Sequence, residues 1–222
     1  MPHESVHSAQ RIISGPGQVK VKKCGDTLDA YKNQSVQQEG NVVKGLAAGI
    51  IGGLVASAVM NQFQKLMSSK ILGAERSHGA QSLQSGAPRH GAGRMLEEQG
   101  KEHPEDDAAE RLANTIAVGV FDHELTERQK DIAGTVFHYA YGTSMGAVYG
   151  AAAEVLPQTT TGRGLPYGAL IWVGADEGIV PLLGLSKTSA EYPLSIHASA
   201  LAAHLVYGLT VEIVRTAVRK TL

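Results

Sequence analysis

The residues that could do chemistry are few, and they sit among apolar neighbours. Asp176 and Glu177 stand side by side in WVGADEGIVPLLGL (172–185), a run that is otherwise apolar, small or aromatic. His138, His197 and His204 fall in two further runs, 132–153 and 192–211, that carry no formal charge. In a soluble domain such an acidic pair marks a solvated turn, but inside a bilayer each charge is expensive and is retained for a reason. Counting turns puts Asp176, Glu177 and His204 near mid-run. His138 lies about two turns into its own run, and His197 is one heptad before His204 on nearly the same face. All five could meet between helices.

Such a constellation admits three chemistries. It can hold or relay protons, since a desolvated carboxylate grips its proton and histidine titrates near neutrality. It can bind zinc, manganese or iron through imidazole and carboxylate, although none of these runs has H-E-x-x-H or E-x-x-H spacing. It can also join helices through hydrogen bonds and ion pairs, with an acid protonated where needed. Tyr139, Tyr141, Tyr149 and Tyr207 supply further hydroxyls, and Pro181 frees a backbone carbonyl about one turn earlier, near Glu177.

What must position these residues follows from the distribution of charge. The 222 residues carry 20 basic and 21 acidic side chains, so no electrostatic attraction to nucleic acid is expected. Aromatics are 5% of the chain while glycines number 26, which leaves a conventional soluble core short of large side chains. The lone cysteine, Cys24, excludes an intrachain disulfide framework and a multi-thiolate zinc site. The first forty residues hold no apolar run of the kind a cleaved signal peptide needs. No nucleophile elbow, phosphate loop or dinucleotide fingerprint is read, and the protein is expected to be non-enzymatic, without cofactor or metal.

The apolar residues concentrate in four stretches, each about the 20 residues that a hydrocarbon layer of about 30 Å requires. A polar tail (1–42) precedes the first span (43–65), and a polar, flexible loop rich in Gly, Ser, His and charge covers 66–106. An amphipathic helix at the membrane surface is expected over 107–121, its apolar side carried by Leu112, Ile116 and Val120. The second span (127–156) opens on TERQ, the spacing of a capping box. The third (164–186) and fourth (193–219) follow short, turn-rich links. Of the remaining histidines, His3, His7, His78, His90 and His103 are read as solvated.

Small residues recur every fourth position, at Gly45, Gly49, Gly53 and Ser57 and again at Gly142, Gly146 and Gly150. Each set forms one stripe of a helix, and small stripes let helices approach closely where hydrophobicity cannot drive them together. Basic residues at both ends (Lys22, Lys23, Lys32 and Lys44; Arg215, Arg219 and Lys220) place both termini in the cytoplasm. Glu154 and Glu212 are expected to pair with arginines at that interface.

Three segments, HYAYGTSMGAVYGAAAEVLP, YGALIWVGADEGIVPLLGLS and YPLSIHASALAAHLVYGLTVEIVRTAVR, resemble the YagU-like bacterial inner-membrane proteins, a family of unknown function. The match covers about 131–220 and is similar only in outline over 44–66. The resemblance implies a multi-pass inner-membrane protein, with a link to acid resistance in the enteric member, and brings no catalytic residues. Asp176 stands where that member has a histidine, an exchange that a proton-titrating or structural position tolerates better than a fixed metal site. Taken together, an all-α polytopic membrane protein is expected, a bundle of about four transmembrane helices with the lipid bilayer as its main partner. A homo-oligomer or a membrane-complex partner, and metal or small-solute transport, stay open as alternatives.

Overall fold

The computed structural model describes residues 24–67, 88, 90–100 and 106–222, with side chains from 41 onward except at 92, 93 and 97. The chain divides into two units, Met1–Asn41 and Val42–Leu222, and the packing below belongs to the second. All regular structure among the described residues is helical: α1 (Cys24–Met67), α2 (Gly91–Glu98), α3 (Ala108–Phe121), α4 (Glu127–Val155), α5 (Leu165–Gly174), α6 (Val180–Leu182) and α7 (Leu194–Arg219). Two stretches are long and apolar enough to cross a membrane, Asn41–Met67 and Leu194–Arg219.

The glycine stripes meet. A Cβ built on Gly146 would lie 2.5 Å from both the Gly49 carbonyl oxygen and the Gly53 Cα, and one on Gly150 would strike the Gly45 carbonyl. Gly53 likewise lies against Gly142, so α1 and α4 run antiparallel with their backbones in contact. On its other side α1 meets α7, where a Cβ on Gly52 would come within 3.0 Å of the Val211 carbonyl oxygen. Gly164 and Gly168 of the α5 region lie against Gly208 and His204 in the same way, again antiparallel. Gly164 has φ +81°, which favours glycine where α5 begins. Ala56, Met60, Tyr149, Ile171, Ala203, Tyr207 and Val211 fill the centre of the four-helix arrangement.

This interior is inverted relative to a water-soluble bundle. Arg111 is 0% exposed and Lys130 2%, while Phe121, Leu182 and Leu194 are exposed at 72%, 79% and 81%. Helix α3 shows the inversion most clearly, burying Glu110, Arg111 and Asn114 and turning Ile116, Val120 and Phe121 outward. Its amphipathic character is as expected, but the protein takes the polar face. Asp107 caps the helix by accepting from the Ala109 and Glu110 N–H groups (2.9 and 3.0 Å). The polar side then lies against α4, where Lys130 binds Asp106 at 2.9 Å and Glu127 at 3.1 Å. At the start of α4 the Gln129 carboxamide oxygen accepts from the Thr126 N–H at 2.9 Å, the reach-back half of the capping box that TERQ predicts.

Three segment boundaries differ from the sequence reading. Helix α1 begins at Cys24, inside the presumed 1–42 tail, where no proline interrupts the helical path. The 66–106 loop contains α2; its residues 68–87, 89 and 101–105, His78 and His103 among them, lie outside the described residues, as do His3 and His7. The segment expected as the third span, 164–186, is one helix only as far as Gly174. A π-helical turn, Ala175–Ile179, follows, and then the three-residue α6. Pro181 accounts for the break: having no N–H, it leaves the Glu177 carbonyl without its helical donor, and the Ser189 hydroxyl supplies one at 3.3 Å.

The glycine seam yields a stability prediction. Gly146→Ala puts a methyl group against backbone that can only move apart, and should lower stability by about 1–3 kcal/mol in detergent thermal unfolding. Gly119→Ala, where a Cβ meets nothing within 4 Å, should be neutral or stabilising by up to about 1 kcal/mol.

Candidate functional site

A cavity of about 210 Å³ opens between α1, α3, α4, the π-helical turn and α7. Its walls are mostly apolar, with Asp176, His204 and His138 among the lining residues together with Tyr141, Tyr207 and Gln64. Of the five polar residues expected to converge, these three share one space. Glu177 and His197 form a separate pair, because neighbouring helical residues diverge by about 100°.

Around His204 the geometry is asymmetric. Its Nδ1 is 2.9 Å from the Ala200 carbonyl oxygen, which can only accept, so that nitrogen carries hydrogen. Asp176 Oδ2 is 3.7 Å from the same nitrogen, an ion-pair and not a hydrogen-bond distance. Tyr207 donates to the Gly142 carbonyl oxygen at 2.5 Å and Tyr167 to that of Met145 at 2.8 Å, anchoring α7 and α5 to α4. His138 packs edge-on against Tyr139, ring centroids 5.7 Å apart.

The Glu177–His197 pair is tighter. His197 Nε2 lies 2.9 Å from the Ser189 carbonyl oxygen and Nδ1 lies 2.7 Å from Glu177 Oε1. The first contact requires a hydrogen on Nε2, and the second requires another between nitrogen and carboxylate. The pair therefore holds one proton more than an ionised glutamate beside a neutral imidazole, whichever atom owns it.

At the far end of the bundle Arg219 clamps Glu154 at 2.8 and 3.2 Å, and Arg215 clamps Glu212 at 2.9 and 3.0 Å. Arg215 also lies 6.0 Å from the Tyr149 ring centroid. Both glutamates thus have arginine partners across or along α7.

Sequence reasoning passed over several polar groups. Asn61 and Gln64 are buried and continue the α1 stripe of Gly45, Gly49, Gly53 and Ser57 at helical spacing, a signal present in the sequence. The Asp106–Lys130 pair and Arg111 gave no such signal, since acids before a helix read equally well as solvated. His90, read as solvated, donates from Nε2 to the Pro181 carbonyl at 3.0 Å and ties the start of α2 to the end of α6. The spacing G-x-S-x-G does occur, at 142–146, but it lies mid-helix. Ser144 there donates to the Ala140 carbonyl at 2.8 Å, and no strand-to-helix turn presents its hydroxyl. Among the described residues no group of three or more His, Cys, Asp or Glu side chains could hold a metal ion.

A family model described as "Protein of unknown function (DUF1440)" matches residues 88–213, from α2 through most of α7. The chain belongs to the DUF1440 family. That assignment agrees with the YagU-like resemblance of its second half. Comparison with curated proteins gives no match. Comparison with solved structures gives none either. The matched region of this DUF1440 protein includes Asp176, Glu177 and all three histidines of the candidate site, and leaves out α1 with its half of the glycine seam.

Beside the cavity, burial and the neighbouring acids Asp107, Asp106 and Asp131 push the Glu110 carboxyl up to about 8, although it accepts from the Asp107 N–H at 2.8 Å. The folded chain therefore keeps a proton that the unfolded chain, at 4.5, gives up. The stability contributed is complete below 4.5 and is lost as pH rises to about 8. Glu110→Gln preserves the acceptor for the capping box. Its Tm should therefore gain on the wild type as pH rises through that window, and a pH-independent difference would contradict this account.

Proposed function

We propose that this DUF1440 member is a non-enzymatic, multi-pass protein of the bacterial inner membrane, with four spans formed by α1, α4, α5 continued through α6, and α7. The inverted interior carries the reading: charged and small residues inside, large apolar side chains outside. Water penalises such an outer surface, and lipid does not. Within the two most apolar helices only 39% of the apolar window is buried, whereas the core helix of a soluble protein is mostly buried. The broken third segment, Leu165–Leu182, rises about 27 Å, close to the hydrocarbon thickness of about 30 Å. Where Pro181 interrupts its backbone ladder, the Glu177 carbonyl accepts from the Ser189 hydroxyl at 3.3 Å, an internal partner of the kind a backbone group needs in lipid.

Both chain ends are assigned to the cytoplasm. Lys44 donates to the Leu222 carbonyl at 2.9 Å, which gathers Lys44, Arg215, Arg219 and Lys220 at one end of the bundle, in line with the positive-inside tendency. In carbonate-washed membranes the chain should remain in the pellet. With Cys24 replaced by serine, Leu125→Cys and Ala190→Cys should react with an impermeant maleimide from the periplasm, and Thr160→Cys should not. Release into the wash, or the reverse labelling pattern, would sink the topology.

Within that bundle the carboxylates of Asp176 and Glu177 and the imidazoles of His197 and His204 serve as proton-holding groups that respond to acid stress. The shared proton of Glu177 and His197 supports this, as does an Asp176–His204 contact without a hydrogen bond, where a change of protonation alters the attraction between α7 and the π-helical turn. In liposomes the fluorescence of Trp172, on α5, should change with pH between about 5 and 8. Asp176→Asn combined with Glu177→Gln should flatten that response. An unaltered profile in the double variant removes the proton reading and leaves the cluster as a helix fastener.

A further inference from the structure

We propose that the cavity beside Asp176 is a binding site for a small organic cation, an ammonium head on an apolar body, and that protons at Asp176 and His204 displace it. The inference rests on the reading of those two side chains as proton-holding groups in lipid.

Size comes first. A cavity of about 210 Å³ exceeds the roughly 150 Å³ that accommodates benzene, which allows a ligand of about ten heavy atoms. The lining contains two acids, Asp107 and Asp176, and neither lysine nor arginine. Phe137, Tyr141 and Tyr207 contribute aromatic surface of the kind that receives ammonium groups. An anion would find no basic residue there other than histidine.

The polar atoms ask for donors. Gln64 is 4% exposed and lines the cavity, and its Oε1 has no hydrogen-bond partner. A buried acceptor left without a donor is unfavourable, and an ammonium brings three. Asp107 already accepts from the first amides of α3, so its charge is balanced by that helix terminus. Asp176 is different. His204 Nδ1 is committed to the Ala200 carbonyl and stays 3.7 Å away, which leaves the Asp176 carboxylate as the anchor for an ammonium.

Competition with protons follows from what faces that carboxylate. His204 approaches from α7, His138 and Tyr141 from α4, Asp107 from α3, and Glu177 is its chain neighbour. Protonating Asp176 removes the anchor, and protonating His204 sets a positive charge beside it. Low pH therefore expels an organic cation, and a bound cation in turn lowers proton occupancy at the site.

The test uses the full chain in detergent or lipid nanodiscs, with benzylammonium as probe and benzyl alcohol as its uncharged counterpart, titrated by calorimetry at about pH 8 and about pH 5. Benzylammonium remains protonated at both. It should bind at the higher pH at least about tenfold more tightly than benzyl alcohol, and at least about tenfold more weakly at the lower pH. Asp176→Asn should remove both the preference for the cation and its pH dependence, with circular dichroism confirming the fold. If that variant does not fold, Gln64→Leu should weaken benzylammonium more than benzyl alcohol. Equal binding of the two probes, pH-independent binding of the cation, or no binding up to about 1 mM would overturn the proposal. A pH response of Trp172 in liposomes without any amine binding would leave the proton reading intact and remove this one alone.

Discussion

The structure depends on how closely α1 and α4 approach. Three glycine pairs, Gly45 with Gly150, Gly49 with Gly146 and Gly53 with Gly142, bring two backbones to van der Waals contact over about two turns. Dispersion between backbone atoms then replaces the side-chain interdigitation of a soluble core. One consequence is that α4 stands near enough to α7 for the Tyr207 hydroxyl to reach the Gly142 carbonyl, an oxygen within the seam itself. Another is that the interior has little room for large aliphatic side chains, which consequently point outward.

The polar interior follows from the same crowding. Once small residues occupy the contact, several of the remaining inner positions are filled by groups that satisfy one another, such as Asp106 with Lys130 and Asp107 with the first amides of α3. Buried charges of this kind are tolerable only when paired and hydrogen-bonded. The bidentate Arg215–Glu212 and Arg219–Glu154 contacts meet that condition at one end of the bundle. Around the cavity the satisfaction is incomplete, with Gln64 Oε1 lacking a donor and Asp176 beyond hydrogen-bond reach of His204. Incomplete satisfaction beside a space large enough for a small molecule is what makes that space a candidate for ligand and proton chemistry.

Pro181 connects the backbone to that chemistry. By depriving Glu177 of its helical donor it produces the π-helical turn that carries both acids, and the freed carbonyl brings in Ser189. Ser189 in turn accepts from His197 through its own carbonyl. One missing N–H thus helps to fix which imidazole Glu177 meets, and leaves Asp176 to the cavity.

Much of this was legible in the residues. The all-helical class, the capping box at Thr126, the four apolar runs and the presence of Asp176, Glu177, His138, His197 and His204 within them follow from periodicity and local chemistry, which act over one or two turns. The stripe through Gly45 and Gly49 could be read for the same reason, and so could its extension to Asn61 and Gln64. The inward turn of the polar face of α3 could not be read, because amphipathicity gives a helix two faces without saying which one meets protein. Nor could the division of the acidic pair, with Glu177 held by His197 and Asp176 facing His204 across a cavity. Those contacts join residues 20 or more positions apart, and their distances depend on how deeply α1 and α4 interlock and on how far one proline unwinds the third segment, quantities that only the packed chain decides.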